Sequence, residues 1–304
     1  MLTLNQPHVS RAANLLVWLS CCILAGSTFI IYLGLGQSSG QGVVMPLDDA
    51  YIHFQYARQL ASGQPYIYNP GLPPTSGATS FLYPYVLAIG SLLGFSGQNL
   101  GVWAMAVGFA ALALCGWLIY RFSLGCGVPL WIAALGGFAF QLHGAAAWHA
   151  ASGMETMLAT LFLLWLLNAL LQSQHRAAIV AASLCALTRP EGLIAAGAAM
   201  LVLAGQNIAS VEGETFFTRL KNSLRLTSGR WLALLIPFAA ALVQPAVNYL
   251  LTGSAVASGN AAKSLFGIIP LDLSVIAARI AENFVRMWRE WVTSSGACGM
   301  LGRL

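Results

Sequence analysis

VMPLDDAYIHFQYARQLASGQPYIYNPGLPPTSGATSFLYPY, residues 44–85, is the stretch on which the reading of this chain turns. It sets two adjacent carboxylates, Asp48 and Asp49, among six of the nine tyrosines, in a chain that is 58% hydrophobic and only 8% charged. Globular proteins average roughly 45–50% apolar and about 25% charged residues, so both departures point to an all-α polytopic membrane protein. An apolar run over residues 12–36 precedes the stretch and further apolar runs follow it. The stretch reads as part of a long first extracytoplasmic loop, residues 37–95, with the acidic pair as its reactive centre.

The preceding run is longer than the roughly 7–15 apolar residues of a signal peptide and matches the ~20 needed to cross a bilayer. Arg11 at its head keeps the N-terminus cytoplasmic by the positive-inside rule. Within the loop, residues 50–62 form a short helix with Asp48 or Asp49 as N-cap and Gly63 as stop. His53, four residues after Asp49, shares its face. Residues 65–79 are rich in Pro, Gly and Ser and read as an irregular loop. Residues 81–95 are too few to span and suit an interfacial or re-entrant helix, with Phe81, Tyr83 and Tyr85 in the headgroup layer.

Residues 99–122, 128–148 and 154–171 read as three successive crossings. Cytoplasmic placement of Arg121 and Arg176 then puts Glu155 on the outer side with Asp48 and Asp49. Residues 177–204 are interrupted by Thr188-Arg189-Pro190-Glu191-Gly192. Charge parity makes this a hairpin of two short helices with the break at its outer tip. Residues 231–251 cross outward again and deliver Lys263 to the outer face. Residues 273–292 carry Arg279, Glu282, Arg286 and Arg289 and lie on the membrane surface.

The net charge of +5 is too thinly spread for a nucleic-acid footprint, and most of the basic residues flank the apolar runs. Cys21, Cys22, Cys115 and Cys185 lie in apolar runs and act as small hydrophobes. His143 and His149 are six apart, which is no usual metal-ligand spacing. Arg189 and Glu191 are costly at membrane depth and call for a partner or a cavity. They either pair with each other across the helix break or turn Arg189 to a lipid phosphate.

DDAYIHFQYARQLASGQPYIYNP, TSGATSFLYPY, ASGMET, LTRPEG and NAAK, in this order and separated by apolar runs, resemble the GT-C glycosyltransferases. The nearest likeness is to bacterial arabinofuranosyl- and mannosyltransferase-like groups that use a polyprenyl-phosphate sugar. The resemblance implies a GT-C-type helix bundle with juxtamembrane helices in the first outer loop. It further implies an inverting transfer to an acceptor hydroxyl on a glycan, lipid or protein, at the outer face of the plasma membrane.

By that resemblance Asp48 or Asp49 is the catalytic base. Glu155 matches an acidic position of the second outer loop that holds metal or acceptor in some relatives. A divalent cation, where one takes part, would fall to Asp49 and Glu155. His53, Arg189, Glu191 and Lys263 complete the substrate-binding set. Residues 1–265 form the catalytic module and residues 266–304 an amphipathic segment and abrupt tail, expected of a C-terminally truncated member. The competing readings are a transporter or lipid flippase, and a non-catalytic remnant.

Overall fold

The computed structural model describes residues 9–38, 43–213, 215–258 and 272–294. Every regular element among them is a helix. The order is α1 (Arg11–Ser38), α2 (Asp48–Ala61), α3 (Leu82–Leu92), α4 (Asn99–Gly125), α5 (Leu130–Leu142), α6 (Gly144–Ala151) and α7 (Thr156–Leu171). There follow α8 (His175–Thr188), α9 (Gly192–Ala209), α10 (Phe216–Leu226), α11 (Ser228–Ala233), α12 (Ile236–Thr252) and α13 (Leu273–Ser294).

Length and composition allow a membrane crossing by α1, α4, α9 and the Ser228–Thr252 segment that joins α11 to α12. The helix α4 is the centre of the bundle. Half of its apolar window is buried, against 17% for that of α1. It packs on α1, α5, α6 and α7, and α7 hands the packing on to α8, which carries α9 and α12. In a bilayer, where lipid is as apolar as a protein core, such contacts would rest on close packing and internal hydrogen bonds rather than on water exclusion. Asn168 supplies one such bond. Its Nδ2 donates across to the Leu118 carbonyl of α4 at 3.0 Å.

The loop helices are not appendages. Met45, Ala50, Phe54 and Ala57 from the α2 region share one apolar cluster with Tyr83 and Leu87 of α3 and with Leu100, Ala104 and Met105 of α4. At 11 residues, about 16 Å, α3 is too short to cross a bilayer, as its sequence implied.

Three expectations need correction. Asp48 and Asp49 do not cap α2; they occupy its first turn, and the N-cap is Leu47, with no side-chain bond. Their charges meet the unpaired N–H groups and positive end of the helix dipole, which favours carboxylates there without capping geometry. Residues 128–148 are not one straight crossing, because α5 and α6 meet at a 55° bend. The bend falls at His143, whose extended backbone (φ −68°, ψ 122°) leaves the helical path. The second arm of the TRPEG hairpin is not short. The helix α9 runs 18 residues, about 27 Å.

The basic stretch before residue 231, for which the sequence set no expectation, contains a helix, α10, opened by a reciprocal Thr215–Thr218 capping box. It exposes Phe216, Phe217, Leu224 and Leu226 beside Arg219, Lys221 and Arg225.

Candidate functional site

The turn between α6 and α7 drops Glu155 into the protein. Gly153 makes this turn with φ +73°, and a Cβ there would sit 2.4 Å from Met45 Sδ. Only glycine suits a left-handed backbone under that crowding. Glu155 is 1% exposed. A second break, at Arg189-Pro190-Glu191, ends α8 with Arg189 in an extended conformation (φ −146°, ψ 145°). Pro190 has no N–H to continue the helix and biases the preceding residue away from it. Gly192 begins α9 so close to α8 that an added Cβ would lie 2.0 Å from the Cys185 carbonyl oxygen.

The two breaks meet. Arg189 Nε donates to Glu155 Oε1 at 2.9 Å, and Arg189 Nη2 reaches Thr156 Oγ1 at 3.4 Å. Glu191 is the weaker partner, 3.8 Å from Arg189 Nη1 and 67% exposed, so the pairing within the break is secondary. The guanidinium is 34% exposed and keeps a face open while its other side neutralises Glu155.

His53 comes to the same place from α2. Its Nε2 lies 3.5 Å from Glu155 Oε2, and both side chains are 2% exposed. Its ring stands edge-on to Tyr83 with centroids 5.4 Å apart. The Tyr83 hydroxyl donates to the Gly153 carbonyl at 2.8 Å. Burial holds the His53 pKa below its ordinary value, although the Glu155 and Asp49 carboxylates oppose the shift. Burial also pushes the Tyr83 phenol upward, with the Glu155 charge adding to it. Imidazole and phenol are therefore neutral at pH 7.

Three sequence candidates thus converge at the site: the buried His53 and Glu155, and the partly exposed Arg189. Glu191 stands at its rim. Asp49 acts electrostatically on His53 one helical turn away. Asp48 is exposed, and its Oδ1 accepts the Asp49 backbone N–H at 2.9 Å. Lys263 lies outside the described residues. Among the described residues no group of three His, Cys, Asp or Glu side chains converges as a metal site. Glu155 binds Arg189 through one oxygen and faces His53 with the other, so its geometry is that of a buried ion-pair partner.

Tyr83 belongs to this core and not to the headgroup layer where its aromatic neighbours suggest it lies. It is 1% exposed, whereas Tyr85 is 40% exposed. One signal could have separated them. Tyr83 is followed by Pro84 in the first turn of α3, whose buried positions include Tyr83, Pro84, Leu87 and Ala88. His149 also lies within the electrostatic reach of Arg189.

Two cavities adjoin the site. One, about 260 Å³, runs between Pro190, Leu193 and Ala186 on one side and Ala241 and Pro245 of α12 on the other. The second, about 40 Å³, lies between the aromatic loop and α12. Gln244 and Asn248 border both. No family model, curated protein or solved structure matches the chain.

Proposed function

We propose that the chain is a GT-C-type membrane glycosyltransferase. It moves a sugar from a polyprenyl-phosphate donor to an acceptor hydroxyl, with inversion, at the outer face of the plasma membrane. The N-terminus is cytoplasmic. Asp48 or Asp49 takes the acceptor proton as the hydroxyl attacks the anomeric carbon and the lipid phosphate departs.

The observation that carries this reading is the docking of the acidic head of α2 on the Glu155–Arg189 pair through His53. Carboxylates suited to proton abstraction and a cation suited to a phosphate thereby share one end of the bundle. Arg189 adjoins Pro190, which lines the cavity beside α12. An apolar groove next to a half-open guanidinium suits a prenyl chain with an anionic head. A divalent cation would find its nearest carboxylates in Asp48 and Asp49, since Glu155 is spent on Arg189.

Transfer of radiolabelled sugar from a lipid donor in membranes tests the proposal. Asp48→Asn and Asp49→Asn separately identify the base, and the double variant is expected to abolish transfer while still inserting. Full activity in the double variant refutes the mechanism. The bend between α5 and α6 and the break between α8 and α9 favour one second reading, a transporter, since transport sites form at interrupted helices. Uptake or flipping of a lipid-linked sugar without transfer would decide for it.

A further inference from the structure

The position of α10 in the chain narrows what can cover its apolar face. The segments on either side of it, α9 and Ser228–Thr252, are each long and apolar enough to cross a membrane. Residues 210–227 are all the chain between them, so α10 lies where one crossing ends and the next begins. Ser223 fixes it there. The buried Ser223 hydroxyl donates to the Asn207 carbonyl of α9 at 3.0 Å and accepts the Trp231 indole N–H at 3.1 Å. Both flanking segments are thus bonded to one side chain of α10.

The register of α10 separates an apolar strip from its cations. At about 3.6 residues per turn, Phe216, Phe217, Leu220 and Leu224 fall within roughly 100° of arc. Phe216 is 60% exposed, Phe217 79% and Leu224 47%. Lys221 and Arg225 border this strip on one side, and Arg219 lies on the other, beyond the Ser223 seam. All three cations are exposed. Arg219 Nε donates to the Gly213 carbonyl at 2.7 Å, which holds the guanidinium beside the start of the helix. Glu212 and Glu214 precede the helix in the sequence, and none of its own residues is acidic.

An 11-residue helix is marginal by itself in water. Exposed apolar strips rimmed by polar residues mark interaction surfaces. Cations along such a strip suit the edge of a bilayer, where rings and leucines enter the acyl boundary and long basic side chains reach the headgroups. The residues after α10 continue the same surface, with Leu232, Leu235 and Ile236 exposed at the start of the next crossing. His175, at the head of α8, lies within the electrostatic reach of Arg230, so the adjoining Arg176 brings further positive charge to this end of the bundle.

We infer that α10 is an interfacial helix that lays Phe216, Phe217, Leu220 and Leu224 into the leaflet where α9 ends, and binds anionic phospholipid headgroups through Arg219, Lys221 and Arg225. The inference requires that α9 and Ser228–Thr252 cross a bilayer, and it is independent of sugar transfer. A soluble partner would have to reach a strip that adjoins the lipid-facing side chains of the next crossing. Anionic lipid meets both halves of the surface at once, the rings with its chains and the cations with its phosphates.

The test uses the full chain in nanodiscs of phosphatidylcholine and phosphatidylglycerol in equal amounts. Phe217→benzoylphenylalanine is photolysed and the adduct is weighed by intact-mass spectrometry. The same probe in place of Leu201 of α9, which is 76% exposed, reports on the crossing itself. Phospholipid is expected to be captured at position 217, phosphatidylglycerol over phosphatidylcholine by about fivefold, the worth of one cation at an anionic surface. High salt lowers this ratio toward parity. Arg219→Gln, Lys221→Gln and Arg225→Gln together do the same while lipid capture persists, since the Ser223 seam is untouched. Arg219→Lys with Arg225→Lys retains the preference.

Lipid capture at position 201 but not at 217 overturns the proposal with the crossing intact. Capture of a second copy of the chain at 217 gives the face to self-association and overturns it too. An unchanged lipid ratio in the triple glutamine variant overturns the headgroup assignment. Capture at neither position removes the crossing and the proposal together.

Discussion

Removing either member of the Glu155–Arg189 pair tests the core of the site by stability alone, whatever the chemistry. Two unit charges about 4 Å apart attract by about 4 kcal/mol at the effective dielectric of roughly 20 that suits protein interiors. Desolvation of Glu155, 2% exposed, offsets part of this, and the 34% exposure of Arg189 screens more. A coupling of about 2 kcal/mol remains. Glu155→Ala leaves Arg189 with Glu191 and water, so its cost is about 2–3 kcal/mol. Arg189→Ala strands a buried carboxylate beside His53 and costs a similar amount near pH 7.

The double variant is therefore expected to be about 2 kcal/mol less destabilised than the sum of the singles. For a chain of this size 1 kcal/mol shifts the melting midpoint by about 2 °C, so the shortfall is about 4 °C. Intrinsic fluorescence of the nine tryptophans in detergent reports it, with all four proteins melted at one scan rate. Simple additivity of the two losses refutes the ion pair as a unit.

His53 predicts a pH dependence. Its folded-state pKa is depressed, so the unfolded chain binds its proton more readily. Stability contributed by burying the neutral ring is full above about pH 6.5 and falls as pH drops below that value. Melting midpoints from pH 7.5 to 5 should decline, and His53→Gln should flatten the decline; an unchanged slope would count against a buried neutral imidazole. Gly153→Ala should lose about 1–3 kcal/mol from the left-handed backbone and the contact with Met45, with Met45→Ala restoring the steric part only. Restoration to full stability would mean that the backbone is relaxed there. Asn168→Leu should cost about 0.6–1.7 kcal/mol, the range for an interhelical bond in membranes, and a neutral result would show that the bond to α4 adds nothing.

Helix positions were legible because long apolar runs bounded by Arg and Gly leave few alternatives. The TRPEG break was legible for the same reason, since Pro190 cannot continue α8. The partner of Arg189 was not. Sequence proximity offers Glu191, two residues on, while the stronger bond goes to Glu155, 34 residues back. Only the close packing of α7 on α8 supplies that pairing. Tyr83 and Tyr85 are the same residue type two positions apart, and only the i, i+4 register of Tyr83 with Leu87 on the buried face of α3 separates them. The bend at His143 was obscured because residues 128–148 satisfy a length test that ignores backbone direction. In FFTRLKNSLRL the apolar residues of α10 are interleaved with Arg219, Lys221 and Arg225, so composition alone conceals its apolar face.

The distance along the chain between Glu155 and Arg189 has a consequence for biogenesis. Ribosomes add about 5–20 residues per second, so the carboxylate precedes its guanidinium by roughly 2–7 s. During that interval α7 cannot seat Glu155 without an uncompensated buried charge. Nascent α7 therefore has reason to keep Glu155 in water until α8 emerges and the two helices pack together.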